Sequence, residues 1–347
     1  MEKINVGIIG FGLSGRVFHS SLLKANSDFQ IKKIFSSKKE KVHQIFPDVE
    51  VTESLDNIFS DPKLNLIIIC GPNETHYEQT KRALLFGKNV VVEKPFVVNS
   101  IEGEELIKIA EDKNLILSVF QNRRWDSDFL TIKKIISEDR LGTIKQFESH
   151  FDRWRPSIRE NKWKEKPGAG TGIFYDLGVH LIDQCLELFG LPDEVFADID
   201  DQKLNKGVVD YFHVILKYKK MRAVLHSSSF SHKNDRFIIL GDEANFRKTG
   251  LDPQEGLLAQ GISPNDENFG LEKKEAFGLF QSDDEECLIK SERGEYMSFY
   301  NHLADAIKKG DNKLAPVSAR SALEVIKVLE VAIESNQAKR WITYKKR

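Results

Sequence analysis

The sequence predicts an α/β protein: a doubly wound parallel sheet first, then an α+β domain with a mostly antiparallel sheet. Three observations predict it. A strand runs into a helix through three spaced glycines at the start of the chain. Strands and helices then alternate as far as Val119, the rhythm of parallel strands joined by crossover helices. After Gln121 the rhythm changes to a helix, a long strand, a loop, a second helix and a run of strands. The change places a boundary near residues 119–123, giving domains over 1–121 and 122–347, with the site expected in the cleft between them.

The opening stretch is INVGIIGFGLSG, residues 4–15. Ile4, Val6, Ile8 and Ile9 make the apolar, β-branched run of a buried strand. Gly10, Gly12 and Gly15 then follow in G-x-G-x-x-G spacing, with Leu13 and Ser14 inside the turn. Val17, Phe18, Leu22 and Ala25 recur at helical spacing after them. The first glycine of such a turn allows the sharp bend, the second lets a pyrophosphate approach the backbone, and the third lets helix and strand pack closely. Free N–H groups at the helix start then face the phosphates. The context between strand and helix points to a dinucleotide; the alternative is a glycine-rich turn without a ligand.

The other elements follow in order. Phe29 to Phe35 reads as the second strand, with a short helix from Lys38. Asp61-Pro62 marks a turn before the apolar strand Leu64 to Cys70. A helix over Thr75 to Phe86 stops at Gly87, a residue suited to the left-handed position past a helix end. Asn89 to Val92 is a strand ending at Glu93-Lys94-Pro95. Ser100, Glu102 and Glu104 favour a helix start, and Ile101, Leu106, Ile107 and Ala110 repeat on one face. Leu115 to Val119 closes the parallel set. In the second domain, Phe129 to Ile136 reads as helix, Ile144 to Phe151 as strand, and Arg155 to Gly172 as loop. Phe174 to Phe189 is a helix closed by Gly190, and Glu194 to Leu240 holds several strands. Gly261 to Glu286 is acidic and reads as a surface excursion. Helices near Tyr296 to Lys308 and Ser318 to Glu334 end the chain.

Bulk composition narrows the function classes. The 347 residues are 40% hydrophobic and 30% charged, with a formal net charge of -2. That balance gives no argument for nucleic acid or a membrane surface as partner. The longest apolar run, Leu66 to Cys70, is too short to span a bilayer. The first strand starts almost at Met1, leaving no room for a signal peptide. Cys70, Cys185 and Cys287 fit neither a metal spacing nor a disulfide framework. The expectation is a cytoplasmic protein with three buried thiols and no metal.

Three places could carry chemistry. Where the second strand ends, roughly 20 residues past the glycines, a free ribose 2′-hydroxyl usually meets an acidic residue. Ser36, Ser37, Lys38 and Lys39 stand there instead, and hydroxyls with a cation suit a 2′-phosphate, hence NADP over NAD. Lys38 and Lys39 also read as a plain solvated helix start. Lys94 sits at the C-terminal end of a strand, the edge where open α/β sheets bind ligands. A lysine there can do acid–base work, a plain surface lysine being the commoner alternative on composition alone, and the following Pro95 admits a cis peptide bond. Asp176 and His180 lie four apart on one helix, with Asp183 a further turn along. A carboxylate beside an imidazole raises its basicity and suits deprotonation of an alcohol; an exposed polar pair is the bland alternative. Gly172 and Gly178 suggest close backbone approach at this helix start. Around them lie Asn122, Arg123, Arg124 and Trp125, and Arg153, Trp154, Arg155 and Trp163. Such a mixture suits a many-hydroxyl substrate or an interdomain network of ion pairs.

GFGLSG at 10–15, GPNETH at 71–76, EKP at 93–95 and YDLGVHLID at 175–183 stand in this order along nearly the whole chain. Together they resemble the Gfo/Idh/MocA family of glucose–fructose oxidoreductases, inositol dehydrogenases and rhizopine-catabolism proteins. GFGLSGRVFH, QNRRWDSDFLTIKK, YDLGVHLIDQ and DYFHV look most like its NADP-dependent scyllo-inositol 2-dehydrogenase subgroup. The resemblance implies a Rossmann domain and a glyceraldehyde-3-phosphate-dehydrogenase-like C-terminal domain, whose sheet joins a homodimer or homotetramer. It implies a catalytic trio of Lys94, Asp176 and His180. Ser14 would face the phosphates, and Ser36, Ser37 and Lys38 the adenosine ribose. Gly71, Pro72, Asn73 and His76, with Glu93 and Pro95 beside Lys94, would lie towards the nicotinamide. Asn122, Arg153, Trp163 and Tyr175 would complete the pocket for a small polyol or sugar. The implied activity is hydride transfer between NADP(H) and a secondary alcohol of a cyclic polyol. Alternatives are another sugar or dihydrodiol, or a dinucleotide-binding regulator without turnover.

Overall fold

The computed structural model describes residues 2–159, 163–232 and 235–345. The chain forms two compact units. The first comprises Met1–Trp125, Pro253–Gly270 and Glu295–Leu323, and the second Asp126–Asp252, Leu271–Gly294 and Glu324–Arg347.

The first unit is built on a six-stranded, all-parallel sheet: β1 (Ile4–Ile9), β2 (Phe29–Phe35), β3 (Glu50–Thr52), β4 (Leu66–Ile69), β5 (Asn89–Val92) and β6 (Leu117–Val119). Its order is β3-β2-β1-β4-β5-β6. The central strands are buried on both faces, as β4 shows with four fully buried residues, because helices cover each side of such a sheet. Strand order reverses between β1 and β4, the point where doubly wound sheets open a crevice. Two later segments bring helices Gln254–Ala259 and Met297–Lys309 into this unit. They bring aromatic packing with them: Phe120 meets Phe299 edge-on at 4.9 Å, and Tyr300 is fully buried.

The second unit holds a nine-stranded sheet. Its strands are β7 (Ile144–His150), β8 (Glu194–Asp200), β9 (Tyr211–Lys217), β10 (Arg222–Ser228), β11 (Asp235–Gly241), β12 (Ala244–Thr249), β13 (Gly278–Ser282), β14 (Glu286–Ile289) and β15 (Ile342–Thr343). Their order is β14-β13-β12-β11-β7-β10-β9-β8-β15. All pairs are antiparallel except β7 with β10. Burial alternates strictly along β9 and β10. Phe147, Phe212, Val214, Leu225, Phe237 and Phe246 face a core shared with the helices Ser127–Ser137 and Val179–Phe189. Glu148, His150, His213 and His226 occupy the opposite, half-buried face.

The structure corrects four expectations. β3 and the short helix Leu55–Phe59 interrupt a stretch read as connection. The acidic Gly261 to Glu286 stretch is no surface excursion throughout, because β13 and the start of β14 pair within it. Inside it Glu272 forms a buried ion pair with Lys248 at 3.0 Å and accepts from Ser127 and Ser291. Of the three thiols only Cys185 is buried; Cys70 and Cys287 are half-buried, and all three are free. The loop over Arg155 to Gly172 contains one helical turn, Trp163–Glu165, and residues 160–162 of it lie outside the described ones. No described helix is long and apolar enough to cross a membrane.

Candidate functional site

In the first unit the three glycines have three different reasons to be glycine. Gly10 has φ +97°, and a Cβ there would stand 2.9 Å from the Cys70 carbonyl oxygen. A Cβ on Gly15 would overlap the Gly10 carbonyl, so helix and strand close directly on one another. Gly12 faces open space, with nothing within 4 Å of its missing Cβ. Leu13 beside it is exposed, and the helix beginning at Ser14 has no side-chain cap. The Arg16 amide donates to the Gly12 carbonyl at 3.1 Å, and no side chain caps the amides before it, an arrangement suited to an anion.

Behind the turn lies a buried carboxylate. Glu93 accepts hydrogen bonds from the Ser14 hydroxyl, from His19 Nε2 at 3.0 Å and from the Lys94 amide at 3.1 Å. His19 Nδ1 stands 2.5 Å from the Tyr300 hydroxyl. Burial pushes the Glu93 carboxyl up, but His19, Ser14 and Lys94 outweigh it and hold it below the usual range. An ionised carboxylate only accepts. His19 therefore carries a proton on Nε2, and its Nδ1 meets the hydroxyl of Tyr300, whose phenol burial keeps protonated. Neither His19 nor Tyr300 stands out in the sequence: His19 falls five residues past Ser14, and Tyr300 arrives from 281 residues beyond His19.

The loops after β4 and β5 are tied by His76. Its fully buried ring places Nδ1 2.8 Å from the Pro95 carbonyl and Nε2 3.1 Å from the Gly71 carbonyl. Burial holds its pKa below the ordinary value. Pro72 is exposed and Asn73 buried on the same turn. Lys94 is half-buried, and the Lys94–Pro95 peptide is cis. After β2, Ser36 is buried: its amide donates to the Thr52 carbonyl at 3.0 Å and its hydroxyl accepts from the Lys38 amide at 3.1 Å. Ser37 and Lys38 are exposed. Asn122 is buried in the turn Asn122–Trp125 of this unit.

In the second unit the helix ending at Phe189 starts with a π-helical turn, Phe174–Gly178. A Cβ on Gly178 would meet the Phe174 ring at 2.6 Å, and one on Gly172 the Val209 carbonyl at 2.8 Å, which explains both glycines. Asp176 is half-buried and its Oδ1 accepts from Lys164 Nζ at 2.5 Å. His180 is buried, so the pair is not an exposed polar one. Tyr175 is half-buried, and burial raises its phenol pKa. A pocket of this unit is lined by Arg153, Lys164, Asp176, Lys203 and Ser228. The Arg153 guanidinium lies 4.9 Å over the Phe151 ring, and exposed Trp163 stands beside Lys164. Lys164 is a residue that sequence reasoning missed; one lysine among several in a loop carries no signal of its own.

Two family models cover most of the chain. Residues 4–121 match the NAD-binding Rossmann fold of the Gfo/Idh/MocA oxidoreductase family, and 133–344 match its C-terminal alpha/beta domain. Among curated relatives, the scyllo-inositol 2-dehydrogenase (NADP(+)) IolW of Bacillus subtilis is 42% identical, over 99% of this chain and 96% of its own. The uncharacterized oxidoreductase YdgJ of Escherichia coli is 39% identical over 96% of both chains. Among solved structures, yvaA of Bacillus subtilis superposes with a TM-score of 0.95 at 41% identity, over 99% of each chain. An oxidoreductase from Bacillus cereus gives 0.88 at 32%, again over 99% of each. The chain therefore belongs to the Gfo/Idh/MocA oxidoreductase family, as a dehydrogenase of CH–OH groups with a nicotinamide dinucleotide as cofactor.

Proposed function

We propose that this enzyme moves hydride between NADP(H) and a ring carbon of a cyclic polyol, with scyllo-inositol the first substrate to test. The observation that carries the reading is full-length similarity to an NADP(+)-dependent scyllo-inositol 2-dehydrogenase. The local geometry supports it. The open side of Gly12 and the uncapped amides at Ser14 fit a pyrophosphate, and the nicotinamide would supply the hydride acceptor. Gly10 and Gly15 shape that turn, with Leu13 at its rim. Ser36, Ser37 and Lys38 would take the 2′-phosphate through hydroxyls and a cation. Gly71, Pro72, Asn73, His76, Glu93 and Pro95 would shape the nicotinamide end.

Each proposed catalytic side chain has one task. His180 takes the hydroxyl proton. Asp176 orients the substrate or the imidazole, with Lys164 paired to that carboxylate. Lys94 polarises the reacting oxygen. Arg153, Trp163, Tyr175 and Asn122 would hold the remaining hydroxyls. We further assign the enzyme to the cytoplasm, and to a homo-oligomer joined through the outward face of the nine-stranded sheet, where Ile215, Val224 and Ile238 are half-buried. Sedimentation velocity tests the association.

The test of function is cofactor absorbance with a panel of inositols, aldoses and dihydrodiols under NADP and NAD. The proposal expects turnover of scyllo-inositol with NADP. Faster turnover of an aldose or a dihydrodiol would move the substrate within the family. Dinucleotide binding without turnover of any of them would replace the enzyme by a sensor.

A further inference from the structure

Three in-register positions on the outward face of the nine-stranded sheet carry histidine. β7 and β10 run parallel with His150 opposite His226, and β9 runs antiparallel with His213 opposite His226. Two residues beyond His150, just past the end of β7, stands Asp152, its side chain almost fully buried. The Ser228 amide donates to its Oδ1 at 2.6 Å and fixes the carboxylate.

We propose that His150, Asp152 and His226 form a binding site for one divalent transition-metal ion, with Zn²⁺ its first occupant. Among the described residues, these three bring one ligand atom each to within 4.8 Å of one another. His226 Nε2 lies 3.6 Å from Asp152 Oδ1, and His150 Nδ1 lies 3.9 Å from Asp152 Oδ2. A tetrahedral zinc shell has ligand–ligand edges of about 3.3 Å, so small side-chain rotations close the set. Imidazole with carboxylate is the donor combination that suits zinc and its neighbours.

Two further observations point to an ion rather than to a self-contained hydrogen-bond cluster. Among the described residues, His150 Nδ1, the nitrogen that faces Asp152, is buried without a hydrogen-bond partner, and a buried polar atom in that state needs an explanation. His150 also turns its other nitrogen, Nε2, to Glu148 Oε2 at 3.0 Å. Metal-bound imidazoles commonly pass their second N–H to a carboxylate, which orients the ring and strengthens the ligating nitrogen. Glu148 is thus a positioning residue. The ion would tie β7 to β10 at the one parallel pair of the sheet, and it is independent of the dehydrogenase reading.

Expression of the full chain in medium supplemented with Co²⁺ or Zn²⁺ offers the metal while the sheet forms. Elemental analysis after gel filtration should find one ion per chain, and the Co²⁺ form should show the visible bands of a nitrogen–oxygen site. The His150→Gln/His226→Gln double variant should lose the ion, and Asp152→Asn should lose the bands, whereas His302→Gln on an exposed helix position should keep both. Glu148→Gln should weaken affinity about 10–100-fold without abolishing binding. Circular dichroism of metal-free variants separates loss of the ion from loss of the fold. Absence of stoichiometric metal in the unmodified chain, or equal metal in the double variant, overturns the site. Unchanged affinity in Glu148→Gln overturns the role of Glu148.

Discussion

The two units each hold a carboxylate beside a basic group, and they treat it differently. Glu93 is closed in by a hydroxyl, an imidazole and an amide, with a phenol one step further back. Asp176 is met by Lys164, whose ammonium end is substantially exposed, in a pocket with a basic lining. A carboxylate with a buried, preorganised shell stabilises a backbone shape; one paired to a half-solvated lysine can exchange that partner for a ligand. On the proposed reading, Glu93 would hold the phosphate turn and Asp176 would meet the substrate.

The largest effect should come from the proposed proton-transfer groups. Loss of a general acid or base typically costs ~10²–10⁴-fold. His180→Ala and Lys94→Ala should each reduce kcat by at least that much, while fluorescence titration still finds dinucleotide bound. Near-normal turnover in both would remove the catalytic half of the contrast.

Next come the carboxylates themselves. Glu93→Gln keeps the shape but removes the charge that three donors address. Hydrogen bonds to charged groups are worth about 1.5–3 kcal/mol, so urea unfolding should show a loss of that order. Asp176→Asn should cost less than about 1 kcal/mol of stability, because Lys164 in that ion pair is itself half-solvated, yet it should depress kcat/KM. If Asp176→Asn proves the more destabilising of the two, the comparison fails.

The same contrast explains what a reader of the sequence can see. The phosphate turn is local: one strand, three glycines and one helix within 22 residues from Ile4 to Ala25. Phe29–Phe35 and Asn89–Val92 are strands at the very residues their patterns suggest. β3, with three residues, is too short to display a period. The acidic stretch misleads because composition counts Glu272 as a surface charge, whereas Lys248 neutralises it in the interior. Tyr300 joins the Glu93 shell only because a late helix returns to the first unit. His150 and His226 become neighbours only through parallel pairing of strands that are far apart in sequence. Local chemistry is legible; groups assembled by strand order are not.

A smaller effect should distinguish the cofactors. If Lys38 meets a 2′-phosphate, Lys38→Ala removes one charge-assisted contact and should weaken NADPH about tenfold or more, since a hydrogen bond to a charged group is worth about 1.5–3 kcal/mol. NADH affinity should stay unchanged. Equal weakening of both dinucleotides would leave Lys38 as a solvated helix start and open the preference for NADP again.

The smallest effect is the pH dependence of stability in the first unit. His76 is fully buried, and burial, with Lys94 nearby, holds its folded pKa below 6.5 against the opposing pull of Glu93 and two carbonyls. A depressed folded pKa means the unfolded chain binds the proton first. The stabilisation is complete above about 6.5 and is lost as pH falls towards the folded value, with a slope of at most about 1.4 kcal/mol per pH unit. Glu93 has the same sign one step lower: its contribution is present above the ordinary carboxylate value of 4.5 and is lost as pH falls through its depressed folded value. Acid unfolding should therefore begin with imidazoles and finish with carboxylates. His213 and His226 in the second unit are also held low by burial, so the wild-type slope below 6.5 is shared between the units. Urea midpoints of His76→Asn between pH 7 and 5 isolate the first unit's part: the variant should start less stable and lose less per unit of pH. A variant slope equal to that of the wild type would place the whole imidazole response in the second unit.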